Sequence, residues 1–283
     1  MTISITTDLN DVIQLTTLGF SGGERHVQLS SLPEQVPLFI SIKAYLNNSD
    51  DIFDLLLVTN ALENHYKQPL TLYLEIPYLP YARQDRVCSP GQAFSLQLMA
   101  KIINSLNIDA LTVWDCHSQV GLDLTGAINI SATEIINSSP SLLEVLRLPN
   151  AALICPDKGA LQRCTELKEA LQINSMVVCE KRRNPATGKI THTDVLVDDL
   201  AGKVAIITDD ICDGGYTFIK IAEQLKAKNA EKVILYVTHG IFSKGLGVFE
   251  GLIDEIYTTN SFKHPSSRLL NIIDFEIKNT KGA

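Results

Sequence analysis

Two adjacent carboxylates, Asp209 and Asp210, stand directly ahead of a short glycine turn in "TDDICDGGYTF" (208–218). The preceding "KVAIITDD" (203–210) has the unbroken apolar character of a buried strand, and a helical pattern begins near Thr217. Backbone N–H groups at such a turn and helix start attract anions. Carboxylates at a strand end accept hydrogen bonds from vicinal hydroxyls or hold a divalent cation through water. One element thus offers acceptors for a sugar's hydroxyls beside donors for its phosphate, through Asp213, Gly214, Gly215, Tyr216 and Thr217. A plain capped helix after a strand, with Asp213 as the cap, accounts for the same residues.

Four other clusters carry chemistry-bearing side chains. In "IPYLPYARQDRVCSPG" (76–91), Arg83 and Arg86 can fork onto phosphate oxygens, while Gln84 and Asp85 offer polar contacts to a base or sugar. A solvated charged loop is the blander reading, but the interleaved prolines and tyrosines favour a rigid surface. "WDCHSQ" (114–119) sets His117 at a strand end, where open α/β sheets place ligands; a structural histidine is the alternative. "CPDKGA" (155–160) ends another strand with Asp157 and a glycine turn. "CEKRRNP" (179–185) concentrates Lys181, Arg182 and Arg183, which form either a solvated face or a cationic cover for a polyphosphate.

These clusters need a scaffold that brings strand ends together. "LTLYLEIPY" (70–78), "ALTVWDC" (110–116), "AALICP" (151–156), "SMVVCE" (175–180), "KVAIITDD" and "KVILYVTH" (232–239) read as strands. Residues 94–106, 160–171 and 217–230 carry helical apolar stripes between them. Strand–helix alternation of this kind predicts an α/β fold with parallel sheets. The interval 129–150 looks least structured, so a domain boundary is placed near 140, giving units 1–140 and 141–283. Residues 182–194 look like a mobile loop or hairpin tip.

Bulk properties narrow the field. The 283 residues are 45% hydrophobic and 20% charged, enough for a substantial core. A formal net charge of -8 argues against a nucleic-acid partner, though a local basic pocket can still take small anions. Six cysteines without a paired spacing fit reduced thiols, and no signal peptide or membrane-length apolar run is present, so a soluble cytoplasmic protein is expected. The chain lacks a P-loop and a nucleophile elbow, and "GLGVFEG" (245–251) misses the dinucleotide spacing.

With "FSGGERHVQL" (20–29) and "VTHGIFS" (237–243) added, the ordered clusters resemble the ribose-phosphate pyrophosphokinases, or phosphoribosyl pyrophosphate synthetases, over most of residues 20–245. That resemblance implies two phosphoribosyltransferase-like α/β domains, each with a mainly parallel sheet flanked by helices, in a dimer or hexamer. It implies transfer of the diphosphoryl group of ATP to the C1 hydroxyl of ribose 5-phosphate, with release of AMP. By position, Phe20, Glu24, Arg83, Gln84 and Asp85 would bind ATP, and His117 and Asp157 would serve Mg²⁺. His117, Lys181 and Arg183 would be catalytic, Asp209 and Asp210 would hold the ribose hydroxyls, and residues 213–217 would hold the 5′-phosphate.

The chain also departs from the family pattern. Gly22 replaces an acid, no arginine follows "RQDR" in "VCSPGQAFSLQLMA", and Tyr216 interrupts a turn that is usually Thr-Gly-Gly-Thr. Were φ > 0 required of Tyr216, the cost would be roughly 1–2 kcal/mol, so either the turn differs or the tyrosine keeps ordinary angles and projects its ring. The projecting ring motivates ADP-ribose as an alternative acceptor, as in NAD salvage. A non-catalytic regulatory homologue and a phosphoribosyltransferase that consumes the activated sugar are the other readings.

Overall fold

The computed structural model describes residues 2–183 and 190–277, with the side chains of all but 181–183 and 190–192. The chain divides into two compact units, Met1–Ile130 and Ser131–Ala283. Both have the expected α/β character.

The first unit opens with β1 (Ile3–Thr7), β2 (Val12–Gly19), β3 (Arg25–Ser30) and β4 (Ile40–Ala44). It continues through α1 (Ser49–Tyr66), β5 (Leu72–Ile76), α2 (Ser95–Asn104), β6 (Ala110–Trp114), α3 (Gln119–Thr125) and β7 (Ile128–Ile130). The sheet order is β3-β2-β1-β4-β5-β6-β7. From β4 onward neighbours run parallel, whereas β1, β2 and β3 pair antiparallel. Burial alternates along β1, β4 and β5, so each carries one fully covered face. Asn48 caps α1 by accepting from the Asp51 N–H, and Lys67 ends it in the left-handed region at φ 54°.

The second unit contains α4 (Ala132–Asn137), α5 (Pro140–Leu146), β8 (Ala151–Cys155), α6 (Leu161–Ala170), β9 (Ser175–Arg183) and β10 (Ile190–Val195). Next come β11 (Val204–Cys212), α7 (Tyr216–Ala227), β12 (Lys232–Gly240), β13 (Glu255–Thr259) and β14 (Leu270–Ile273). The order is β10-β9-β8-β11-β12-β13-β14, all parallel except β10 against β9. Every residue of β8 is buried, as are eight of the nine in β12, which is why these strands read as unbroken apolar runs. The chain steps from β8 to β9 on one side and from β11 to β12 on the other. β8 and β11 therefore flank the reversal of strand order where open α/β sheets leave a crevice.

Two sequence expectations shift, and a third takes its hairpin form. The division falls after Ile130 rather than near 140, and the interval 129–150 is ordered. Its order has local causes: Ser131 and Glu134 form a reciprocal capping box on α4, and Pro140 starts α5 with a preset φ. The 182–194 segment is built from β9 and β10 paired antiparallel as a hairpin, and its tip, 184–189, lies outside the described residues.

Candidate active site

In the second unit the acidic pair lies within β11, whose pairing with β12 continues through Asp209↔Val237, Ile211↔His239 and Cys212↔Gly240. The strand extends past the position where the sequence reading ends it. Thr208 and Asp210, two apart, face α6: Thr208 Oγ1 lies 3.4 Å from Cys164 Sγ, and Asp210 Oδ1 lies 3.7 Å from Arg163 Nη1. Asp210 is buried and Asp209 half-buried, and the Asp210 N–H donates to Asp209 Oδ1 at 3.0 Å. Desolvation, then the neighbouring Asp210 charge, pushes the Asp209 carboxyl well above the usual range, and Arg163 pulls it back in part. Burial, then the charges of Asp209 and Asp213, pushes the Cys212 thiol up to about 12, which leaves it a packing group rather than a nucleophile.

The glycine turn resolves the tyrosine question. Gly215 takes the left-handed conformation at φ 77° and is the N-cap of α7, so Asp213 is not the cap. Tyr216 is the first helical residue, has ordinary backbone angles and projects its ring outward at 57% exposure. No side chain caps α7, which leaves its first N–H groups to an anion from outside the helix. The turn is held by the next loop: Ile241 and Phe242 N–H donate to Cys212 O at 2.8 and 3.1 Å, and Ser243 N–H donates to Asp213 O at 3.2 Å. Burial of Phe218, Ile221, Ala222 and Leu225 seats α7, each large side chain contributing about 1.5–3 kcal/mol.

Asp157 follows β8, the strand beside β11, so the two acidic segments share one end of the sheet. Its Oδ1 accepts from the N–H groups of Gly159 at 2.8 Å and Ala160 at 3.1 Å and fixes the turn into α6. Lys158 Nζ reaches Glu180 Oε1 at 2.8 Å and ties this turn to β9. The β8–β9 register pairs Cys155 with Val178, so the backbone of Lys181 and Arg183 continues from the same sheet end. Their side chains lie outside the described residues.

In the first unit, "YARQDR" leaves β5 on a loop anchored by buried Leu79, Pro80 and Ala82. Tyr81 turns the chain at φ 62°, with the Gln84 N–H donating to Tyr81 O at 2.9 Å. Arg83 and Gln84 are exposed, and Asp85 is half-buried with Arg86 Nε 3.9 Å away. His117 is exposed at the end of β6, just past Asp115 at φ 42°. The Trp114 N–H donates to Pro77 O at 3.1 Å, which joins the two loops at their roots. Gly121 of α3 permits that closeness, because a Cβ there would meet Cys116 Sγ at 2.8 Å and Leu79 Cδ2 at 3.1 Å. Phe20 and Glu24 sit elsewhere, on the β2–β3 hairpin at the far edge of the strand order, where the Phe20 N–H donates to Glu24 O at 2.9 Å.

Each unit therefore gathers its own share of the expected residues, and only the hairpin pair stands apart. Sequence reasoning missed Arg163. It lies on α6, six residues after Asp157 in "PDKGALQR", and only the packing of α6 on β11 discloses its partner. Among the described residues no cluster of three metal-ligating side chains occurs, and no helix is long and apolar enough to cross a membrane. A lone carboxylate is the donor set of a magnesium ion that arrives on phosphate oxygens and keeps its waters, so Asp157 fits that role; the imidazole of His117 is a softer donor.

Comparison with known proteins points to the same fold. Residues 4–106 match the family described as the N-terminal domain of ribose phosphate pyrophosphokinase, and residues 177–276 match the phosphoribosyl synthetase-associated domain. A ribose-phosphate pyrophosphokinase from Pyrococcus furiosus is 31% identical over 254 residues, covering 88% of this chain and 86% of that protein. One from Thermococcus kodakarensis is 28% identical over 263 residues, covering 91% and 89%. The crystal structure of phosphoribosylpyrophosphate synthetase from Mycobacterium smegmatis superposes with a TM-score of 0.77 at 20% identity, covering 93% of this chain and 86% of that one, a likeness of fold.

Proposed function

The chain belongs to the ribose-phosphate pyrophosphokinase family, and from that premise we propose that it transfers the diphosphoryl group of ATP to ribose 5-phosphate. The sugar's C1 oxygen attacks the β-phosphorus, the bond from that phosphorus to the oxygen bridging to the α-phosphate breaks, AMP leaves, and the hydroxyl proton passes to solvent. The observation that carries this reading is the carboxylate pair of β11 joined to an uncapped helix start, acceptors and donors on one continuous segment.

Asp209 and Asp210 take the sugar hydroxyls, and residues 213–217 take the 5′-phosphate through backbone N–H groups. Arg83, Gln84 and Asp85 bind ATP, with Phe20 and Glu24 supplied by a neighbouring copy of the chain in a dimer or hexamer. Asp157 and His117 would serve a magnesium ion carried by ATP, which would neutralise phosphate charge. Lys181 and Arg183 meet the charge that spreads over the transferring group. Such a reaction rests on positioning and neutralisation and asks for no covalent nucleophile. The six free cysteines suit a reducing compartment such as the cytoplasm.

The test is a product assay with magnesium and ATP. Ribose 5-phosphate should yield AMP and phosphoribosyl pyrophosphate in equal amounts, with no nucleobase present. Formation of ADP instead, or AMP only when ADP-ribose replaces ribose 5-phosphate, would overturn the reading.

A further inference from the structure

We infer that Arg163 is a positioning residue for sugar binding: it holds Asp210 in the orientation from which the carboxylate accepts the ribose hydroxyls. The inference rests on the proposed role of the acidic pair and adds a residue outside it.

Arg163 is an unusual side chain for the buried face of a helix, since ordering and desolvating an arginine is costly unless its donors are matched. Here two arms of the fork diverge. Nη1 lies 3.7 Å from Asp210 Oδ1, and Nη2 donates to Thr238 Oγ1 at 3.4 Å. The Thr238 hydroxyl lies 3.0 Å from Tyr236 OH, and the Thr238 carbonyl accepts from Thr259 Oγ1 at 2.6 Å. Arg163 is thereby braced against a hydroxyl network on β12 and β13, with its charge directed at β11. Its side chain is 19% exposed and that of Asp210 12%, so the pair is little screened by solvent.

Without a cation, two adjacent carboxylates in so dry a place would not both stay ionised, and Asp209 already feels that pressure. A protonated acid becomes a donor and loses acceptor capacity toward a hydroxyl. Arg163 therefore acts through Asp210 on the sugar and has no reason to act on ATP. Thr238 and Tyr236 fix the arginine, the arginine fixes the acid, and the acid fixes the substrate.

The experiment measures KM for each substrate separately in Arg163→Gln and Arg163→Lys, with thermal midpoints recorded alongside. Arg163→Gln should raise KM for ribose 5-phosphate about tenfold or more while KM for ATP stays within about twofold. Arg163→Lys keeps the charge but loses the two-armed fork, and should fall between wild type and Gln. If Arg163→Gln fails to fold, the Lys variant decides by the same split. Equal loss toward both substrates, or an unchanged KM for the sugar, overturns the positioning role. A wild-type enzyme that makes no AMP from ribose 5-phosphate overturns the functional reading first, and the inference with it.

Discussion

Gly215 and Phe249 fit so closely that a Cβ on the glycine would lie 2.5 Å from the tip of the phenylalanine ring. The glycine therefore serves twice, by its φ of 77° and by its missing side chain. Gly215→Ala should cost about 2–4 kcal/mol in unfolding free energy, combining left-handed strain with overpacking. It should also weaken ribose 5-phosphate binding. Denaturant unfolding and the sugar KM check both, and an alanine variant of wild-type stability would disprove the tight fit.

Asp209 is more easily protonated than an ordinary carboxyl because burial and Asp210 oppose its charge. Its folded-state pKa is raised, so its ionisation destabilises the fold as pH climbs from the ordinary carboxylate range through that raised value. Asp209→Asn should accordingly raise the thermal midpoint at neutral pH, with the gain closing toward a pH of about 4. The same variant should lower kcat/KM for the sugar. A lowered midpoint at neutral pH would contradict the sign.

Lys181 stands on the stretch of β9 that runs past the β8 end. Lys181→Ala should reduce AMP formation by about 10²–10³-fold. The thermal midpoint should move little, since the β9 backbone pairing does not need the ammonium group. Retained turnover would remove the cationic strand from the chemistry.

Chelation separates the metal's chemical role from a structural one. Because no cluster of three metal-ligating side chains occurs among the described residues, EDTA should abolish AMP formation without shifting the unfolding midpoint, and added Mg²⁺ should restore it. A large loss of stability on chelation would indicate a structural site instead.

The strands at 151–155, 204–212 and 232–240 are legible in the sequence because burial on both faces leaves them almost continuously apolar. Residues 1–69 carry no such signal. In "ISITT" small polar residues fill the outward positions, and in "VIQLTTLG" the outward positions mix apolar Val12 and Leu18 with Gln14 and Thr16, so β1 and β2 emerge only from their antiparallel pairing. The chemistry around the glycine turn is readable because its residues are contiguous. Its shape is not, since the cap at Gly215 fits against the ring of Phe249, 34 positions further along the chain. Arg163 is hidden for the same reason: nothing local says which strand α6 will cover.

The β2–β3 hairpin is fastened to α1 by Arg25, whose Nε donates to Asp54 Oδ1 at 2.9 Å while Nη2 pairs with the other carboxylate oxygen. Its protruding end thus acquires a definite shape while the first unit folds. Whatever surface Phe20 meets, it arrives as a rigid peg, and little freedom is left to surrender at the moment of encounter.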